Sequence, residues 1–183
     1  MNLKTTLSLL RHANQLKRTP RTGWVQRGIV NAENVAAHTY GMAFTALIMA
    51  QYVDEEIDTG RLLSIALLHD LPEALTTDIP SPAWRFMPKG VKYDVEKGAM
   101  HEILNGTDQT NQLMHLWEEL HTNQTAEAKL IHDADKLDMY LQARIYEEQT
   151  GNHHLAEFWS PPHTFNYPAC QQIYDALRAE RDE

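Results

Sequence analysis

An apolar run, Ser64-Ile-Ala-Leu-Leu-His69-Asp70, ends on two side chains that bind metals. Burying an imidazole or a carboxylate among aliphatic neighbours is costly unless a partner satisfies it. A divalent cation is such a partner, because imidazole nitrogen and carboxylate oxygen are its usual ligands. Taken alone, the pair also fits a plain helix C-terminus, with His69 on a carbonyl and Asp70 in water. Two more residues bear on the choice. His38 lies three positions after Val35 and four before Met42, on the buried face of a second helix. Asp135, one after Ala134 and four after Ile131, falls on or beside the inner stripe of a sixth. Three helices then offer the interior metal-competent groups in the order H…HD…D.

These groups need helices to hold them, and helical periodicity dominates the chain. Leu3, Leu7, Leu10 and Ala13 form one apolar stripe of a first helix. Lys17 to Asn31, with Pro20, Gly23 and Gly28, reads as a long loop, a kind of segment that is more often functional than idle. The second helix spans about Glu33 to Val53, with Val35, Thr39, Met42, Ala46, Met49 and Val53 on one side. Thr59 is the expected N-cap of a third, which is apolar nearly all round and therefore central. Pro72 interrupts the chain just after His69-Asp70, and three prolines make Thr76 to Pro88 a loop. Further helices are expected over about 90–104 and 109–120, the latter with Leu113, Leu116, Trp117 and Leu120 inward. The sixth covers about Ala126 to Gln149, buried through Leu130, Ala134, Leu137 and Leu141. A last begins near Pro168, with Ile173, Ala176 and Leu177. No strand-like alternation or repeat interrupts this pattern, so the expected fold is an all-α bundle.

Bulk properties narrow the partners. A chain of 183 residues with 43% hydrophobic residues suits one domain with an ordinary core. The formal charge of −9 argues against binding long nucleic acids, which call for a basic surface, but a small phosphate needs only local positive charge. Cys170, the single cysteine, cannot form an internal disulfide, which suits a reducing compartment. Met1 to Lys17 shows no uninterrupted apolar stretch, and no segment approaches the roughly 20 apolar residues of a membrane span. A cytoplasmic protein with no membrane association is expected.

Several segments occur in a recognisable order: Leu16-Lys-Arg-Thr-Pro-Arg-Thr-Gly-Trp24, Glu33-Asn-Val-Ala-Ala-His38, His69-Asp-Leu-Pro-Glu73, Asp78-Ile-Pro80, Trp117-Glu-Glu-Leu, Thr125-Ala-Glu-Ala-Lys129 and Asp135-Lys-Leu-Asp138. In this order the sequence resembles the HD-domain metal-dependent phosphohydrolases, closest to the branch that includes the 5′-deoxynucleotidases. The resemblance implies a single HD domain over 1–183, with the metal-site core at about 33–150. It implies His38, His69, Asp70 and Asp135 as metal ligands, Glu73 and Asp78 as acidic residues next to the metal, and a homodimer. Glu73 is placed to move a proton, and Asp78 to orient water or meet a sugar hydroxyl. Mixed nitrogen and oxygen ligation suits one divalent transition metal, Mn, Co, Fe, Ni or Zn. The activity implied is hydrolysis of a (deoxy)nucleoside 5′-monophosphate to nucleoside and phosphate. A di- or triphosphate, a cyclic dinucleotide, and a non-catalytic metal- or nucleotide-binding sensor are the alternatives.

For the substrate, Trp24 is a candidate to stack on a base or wall off the sugar, or else to anchor its loop on the core. Arg18, Arg21 and Arg27 around it are candidates for phosphate contact. The deoxynucleotidase branch commonly has an Arg directly before this Trp, where Gly23 stands here.

Overall fold

Asn2 accepts hydrogen bonds from the backbone of Lys4 and Thr5, and with this cap the chain enters its first helix. The computed structural model describes residues 2–182, apart from the Ser81 side chain. Among them are ten α-helices and no strand: α1 (Leu3–Gln15), α2 (Thr22–Val25), α3 (Val35–Met49), α4 (Thr59–Leu68), α5 (Glu73–Thr76), α6 (Ser81–Trp84), α7 (Val91–Leu104), α8 (Thr110–Thr122), α9 (Ala126–Thr150) and α10 (Pro168–Asp182). The expected all-α class is met. No helix among the described residues is long and apolar enough to cross a membrane.

The chain forms two compact units, one of Met1–Thr39 with Leu67–Glu118, the other of Tyr40–Ala66 with Glu119–Glu183. In the first, α1 packs on α5 and α7, and α5 packs on α7. Its core gathers Leu16, Val35, Leu68, Leu71, Met100, Ile103, Leu104, Met114 and Trp117. Each large side chain buried there contributes about 1.5–3 kcal/mol.

Two details of α1 and α4 differ from expectation. Leu3 and Leu10 are 72% and 61% exposed, and α1 turns Leu9 to the core, seven residues before the buried Leu16. The more regular leucine stripe is thus the outer one, because a short helix lying on the surface needs only one or two anchors. The cap of α4 is Asp58 in place of Thr59: its carboxylate accepts from the Arg61 backbone N–H at 3.0 Å, and its own N–H donates to Glu127 at 2.9 Å.

In the second unit, α9 packs against α10 and a 3₁₀ segment, His153–Trp159. Thr125 caps the start of α9 and Gly151, at φ 63°, ends it, a left-handed position where glycine carries no Cβ penalty. The Asp133 carboxylate is buried and accepts from the backbone of Asn166 at 2.9 Å and Tyr167 at 2.8 Å, fastening the entry to α10. Tyr140, Trp159, Phe165 and Tyr174 cluster here, with Tyr140 and Tyr174 centred 4.6 Å apart. Cys170 is buried in this region, and burial followed by the Asp133 charge pushes its thiol up to about 12. The inner face of α10 is Cys170 and Tyr174, whereas Ile173 is exposed. Leu141 of α9 is exposed too, since the buried track there passes through Tyr140 and Ala143.

Two helical glycines make a contrast. A Cβ on Gly41 of α3 would overlap the Asp138 carboxylate, whereas a Cβ on Gly98 of α7 would meet nothing within 4 Å. Gly98→Ala should raise stability by about 0.5–1 kcal/mol. Gly41→Ala should lower it by about 1–3 kcal/mol through overpacking. Urea unfolding of both variants beside the parent measures the opposite signs.

Candidate metal centre

Local rules bring the polar groups of the first unit together. The Asn34 side chain accepts from Ala37 N–H at 2.9 Å, and the Asn34 carbonyl accepts from His38 N–H at 3.1 Å. His38 therefore sits at a fixed point in the first turns of α3, fully buried. At the end of α4, Pro72 has no N–H to continue the ladder onto Leu68, so the helix stops. The turn that follows is closed by Leu71 N–H to Leu68 and Glu73 N–H to Asp70, at 3.1 and 3.0 Å. His69, Asp70 and Glu73 leave that turn in quick succession.

Their side chains converge. Asp70 Oδ2 lies 2.9 Å from His69 Nε2 and 3.8 Å from His38 Nε2, and the two imidazole rings are centred 5.4 Å apart. Two atoms bound to one ion at 2.0–2.1 Å and at right angles are about 2.9 Å apart. Two imidazoles and one carboxylate therefore offer donors of the right type at a fitting separation. Glu73 is buried beside them, and its Oε2 has no hydrogen-bond partner among the described residues.

The two carboxylates respond in opposite directions. Burial alone would raise Asp70, but the charge of His69 and its hydrogen bond, with His38 and Arg21 behind them, hold it far below the usual carboxylate range. Burial pushes Glu73 up to about 9; the negative charges of Asp70 and Asp78 add to that, and Arg21 and Lys92 oppose it. A cation held at Asp70 would draw Glu73 downward, toward the neutral range where a carboxyl both holds and releases a proton.

The loop before α3 divides the substrate candidates. Arg21 reaches the centre, its Nη1 3.6 Å from Asp70 Oδ2. Arg18 is exposed and bonded within its own stretch, to Gln15 at 2.8 Å and Asn14 at 3.1 Å. Arg27 donates to the Gly23 carbonyl at 3.0 Å. Trp24 is only 2% exposed and donates through Nε1 to Glu33 at 2.9 Å, so in this structure the indole anchors its loop. Glu33 belongs to a motif quoted above, but nothing in sequence says that its partner is an indole nine residues earlier. Asp78 is held by Thr22, whose backbone N–H donates to its carboxylate at 2.6 Å and whose hydroxyl donates to its carbonyl at 2.6 Å. Asp135 lies in the second unit, on α9, paired with Lys136 at 3.0 Å. Lys92, four residues before Glu96 on α7 and 3.5 Å from it, is a cation near Glu73 that no motif announces.

An HD-domain family model matches residues 13–172. The chain belongs to the HD-domain family. Among its relatives, the human 5′-deoxynucleotidase HDDC2 is 38% identical over 182 residues, covering 97% of this chain and 87% of that protein. The 5′-deoxynucleotidase hdd1 of Schizosaccharomyces pombe is 31% identical, covering 100% of this chain and 95% of that one. A solved structure of a conserved hypothetical protein from Pyrococcus furiosus is similar with a TM-score of 0.79 at 34% identity, covering 94% of this chain and 99% of that chain. An HD domain binds a divalent metal, and the buried His38 with the half-buried His69 and Asp70 fit one.

Removing the carboxylate tests the centre. Asp70→Ala should leave a folded protein that retains less than about a tenth of the parent's metal after dialysis, because the ligand set loses a negative charge and a donor that the imidazoles cannot replace. Elemental analysis beside circular dichroism measures both. Undiminished metal in the folded variant would remove Asp70 from the ligand set.

Proposed function

We propose that this HD-domain protein is a metal-dependent 5′-nucleotidase, cleaving deoxynucleoside 5′-monophosphates to nucleoside and phosphate. The observation that carries the reading is geometric: the Glu73 carboxyl is buried beside the Asp70 carboxylate, which faces the His69 and His38 imidazoles at 2.9 and 3.8 Å, and burial with the Asp70 charge pushes Glu73 upward. Paired carboxylates driven apart in this way serve as acid and ligand in one site. A sensor that only binds a nucleotide has no use for such a proton-transfer group.

In this reading His38, His69 and Asp70 hold the metal, with Asp135 as the fourth ligand on the strength of its motif. A bound divalent ion, Mn, Co, Fe, Ni or Zn, supplies positive charge for the phosphoryl oxygens and acidity for water. Arg21 meets the phosphate from the loop side, its planar guanidinium suited to two oxygens at once. Glu73 holds a proton at its carboxyl. As water oxygen bonds to phosphorus and the bond to O5′ breaks, that proton passes to O5′, and a proton given up by the attacking water restores the carboxyl. Glu73 and Asp78 both belong to the proposed site. Preference for deoxyribose rests on the names of the relatives; Trp24 acts on it by shaping the loop, and Gly23 leaves that loop without the Arg common in the branch.

One functional domain and a homodimer complete the proposal. The family match at 13–172 takes in residues of both units. For the dimer, α3 carries no Asp, Glu, Lys or Arg, in a chain of net charge −9. Yet Tyr40, Phe44, Ile48 and Tyr52 stand exposed at four-residue spacing. Contiguous exposed apolar and aromatic surface of this kind marks protein–protein contact sites. It is a face on which two acidic copies can meet. Phe44→Glu should shift a dimer to monomer in analytical ultracentrifugation, and an unchanged sedimentation coefficient would point to another face.

The test of activity is phosphate release by chelator-stripped protein reloaded with each metal, across matched deoxy and ribo monophosphates, triphosphates and cyclic dinucleotides. The expected result is turnover of deoxy monophosphates with a transition metal, a lower kcat/KM for the ribo series, and none with chelator. No release from any monophosphate with any metal would end the proposal. Glu73→Gln should retain metal and lose about 10²–10⁴-fold in kcat. Loss of metal equal to that of Asp70→Ala would make Glu73 a ligand.

A further inference from the structure

Asp78 was expected to act on water or on the sugar; in the structure its Oδ2 and its carbonyl both face Thr22. Thr22 donates its backbone N–H to Asp78 Oδ2 at 2.6 Å and its hydroxyl to the Asp78 carbonyl at 2.6 Å, with a further contact from the hydroxyl to Oδ2 at 3.2 Å. These bonds join segments 56 residues apart within the first unit. The residue before Asp78 is strained to allow it. Thr77 has φ 62° and ψ 166°, a region that is essentially glycine territory and strained for a β-branched residue.

Thr22 is next to Arg21, whose Nη1 stands 3.6 Å from Asp70 Oδ2. The other edge of this loop is pinned as well: Arg21 N–H donates to the Glu33 carbonyl at 3.0 Å, and Val35 N–H to the Thr19 carbonyl at 2.9 Å. Arg21 is therefore clamped on two sides. One clamp is the chain entering α3, and the other is Asp78.

We propose that Asp78 is a positioning residue whose carboxylate and carbonyl grip Thr22, holding the Arg21 guanidinium where it meets the substrate phosphate. The proposal rests on the 5′-nucleotidase reading for what Arg21 binds, but not for the clasp itself. Charge is not what the clasp requires. An amide oxygen accepts the Thr22 N–H nearly as well as a carboxylate oxygen does, whereas an amide cannot exchange a proton with water or substrate.

The experiment compares Asp78→Asn, Asp78→Ala and Asp78→Ala combined with Arg21→Ala in the metal-loaded enzyme, with dAMP as substrate. Asp78→Ala should lose about 10²-fold in kcat/KM, most of it in KM, as expected when a phosphate-binding group drifts by about 1 Å. Adding Arg21→Ala should cost little more, because the two act as one unit. Asp78→Asn should recover about tenfold over Asp78→Ala and keep the shape of the pH–rate profile. If Asp78→Asn is as inactive as Asp78→Ala, with kcat lowered and KM unchanged, Asp78 acts on protons and the proposal falls. Hydrogen exchange of the peptide containing Thr22 gives a readout without turnover: protected in the parent and in Asp78→Asn, open in Asp78→Ala. Equal protection in all three would overturn the clasp. Should the parent hydrolyse no nucleotide, the functional reading fails, and hydrogen exchange still decides the clasp.

Discussion

Everything at the centre follows from the cost of taking the Asp70 carboxylate out of water. An ion of that size pays several kcal/mol on burial even after the protein relaxes. It stays ionised because His69, His38 and Arg21 face it. For Glu73, three residues on, burial and the charges of Asp70 and Asp78 outweigh Arg21 and Lys92, and it goes up instead. The same side-chain chemistry thus takes two protonation states within one turn of chain. The surrounding architecture supplies the positions: Asn34 sets where α3 begins, Pro72 sets where α4 ends, and the loop between Thr19 and Glu33 brings a cation to the open side.

That loop explains why one of three neighbouring arginines matters. Arg18 lies in the 3₁₀ turn after α1 and bonds back to Asn14 and Gln15. Arg27 folds back on Gly23. Only Arg21, between the two pinned edges, is directed at Asp70. A flexible side chain on a flexible loop would lose the entropy of ordering each time it met a phosphate; on a clamped loop most of that cost falls on folding.

Much of this was legible in the sequence, for identifiable reasons. The inner positions of α3, Val35, Thr39, Met42, Ala46 and Met49, follow helical spacing and are all buried. His69, Asp70 and Pro72 are adjacent in the chain, so their proximity needs no tertiary knowledge. What could not be read was direction. The leucines of α1 keep good spacing yet face outward, and Ile173 yields the inner face of α10 to Cys170 and Tyr174. Spacing defines a stripe but not which of two stripes meets a neighbour. The bonds from Trp24 to Glu33 and from Thr22 to Asp78 join residues by tertiary placement, and no periodicity encodes them.

Cys170 gives the second unit a property that the first lacks. It is the chain's one thiol, buried where α10 lies on α9, and too basic to ionise near neutral pH. A thiol that is neither accessible nor deprotonated is invisible to alkylating reagents. Labelling requires α10 to lift away, and each such opening exposes one sulfur and no other. The rate at which an excess of reagent modifies the native protein is therefore a count of local openings at the C-terminal helix, separable from global unfolding. The molecule carries its own clock for that half of the fold.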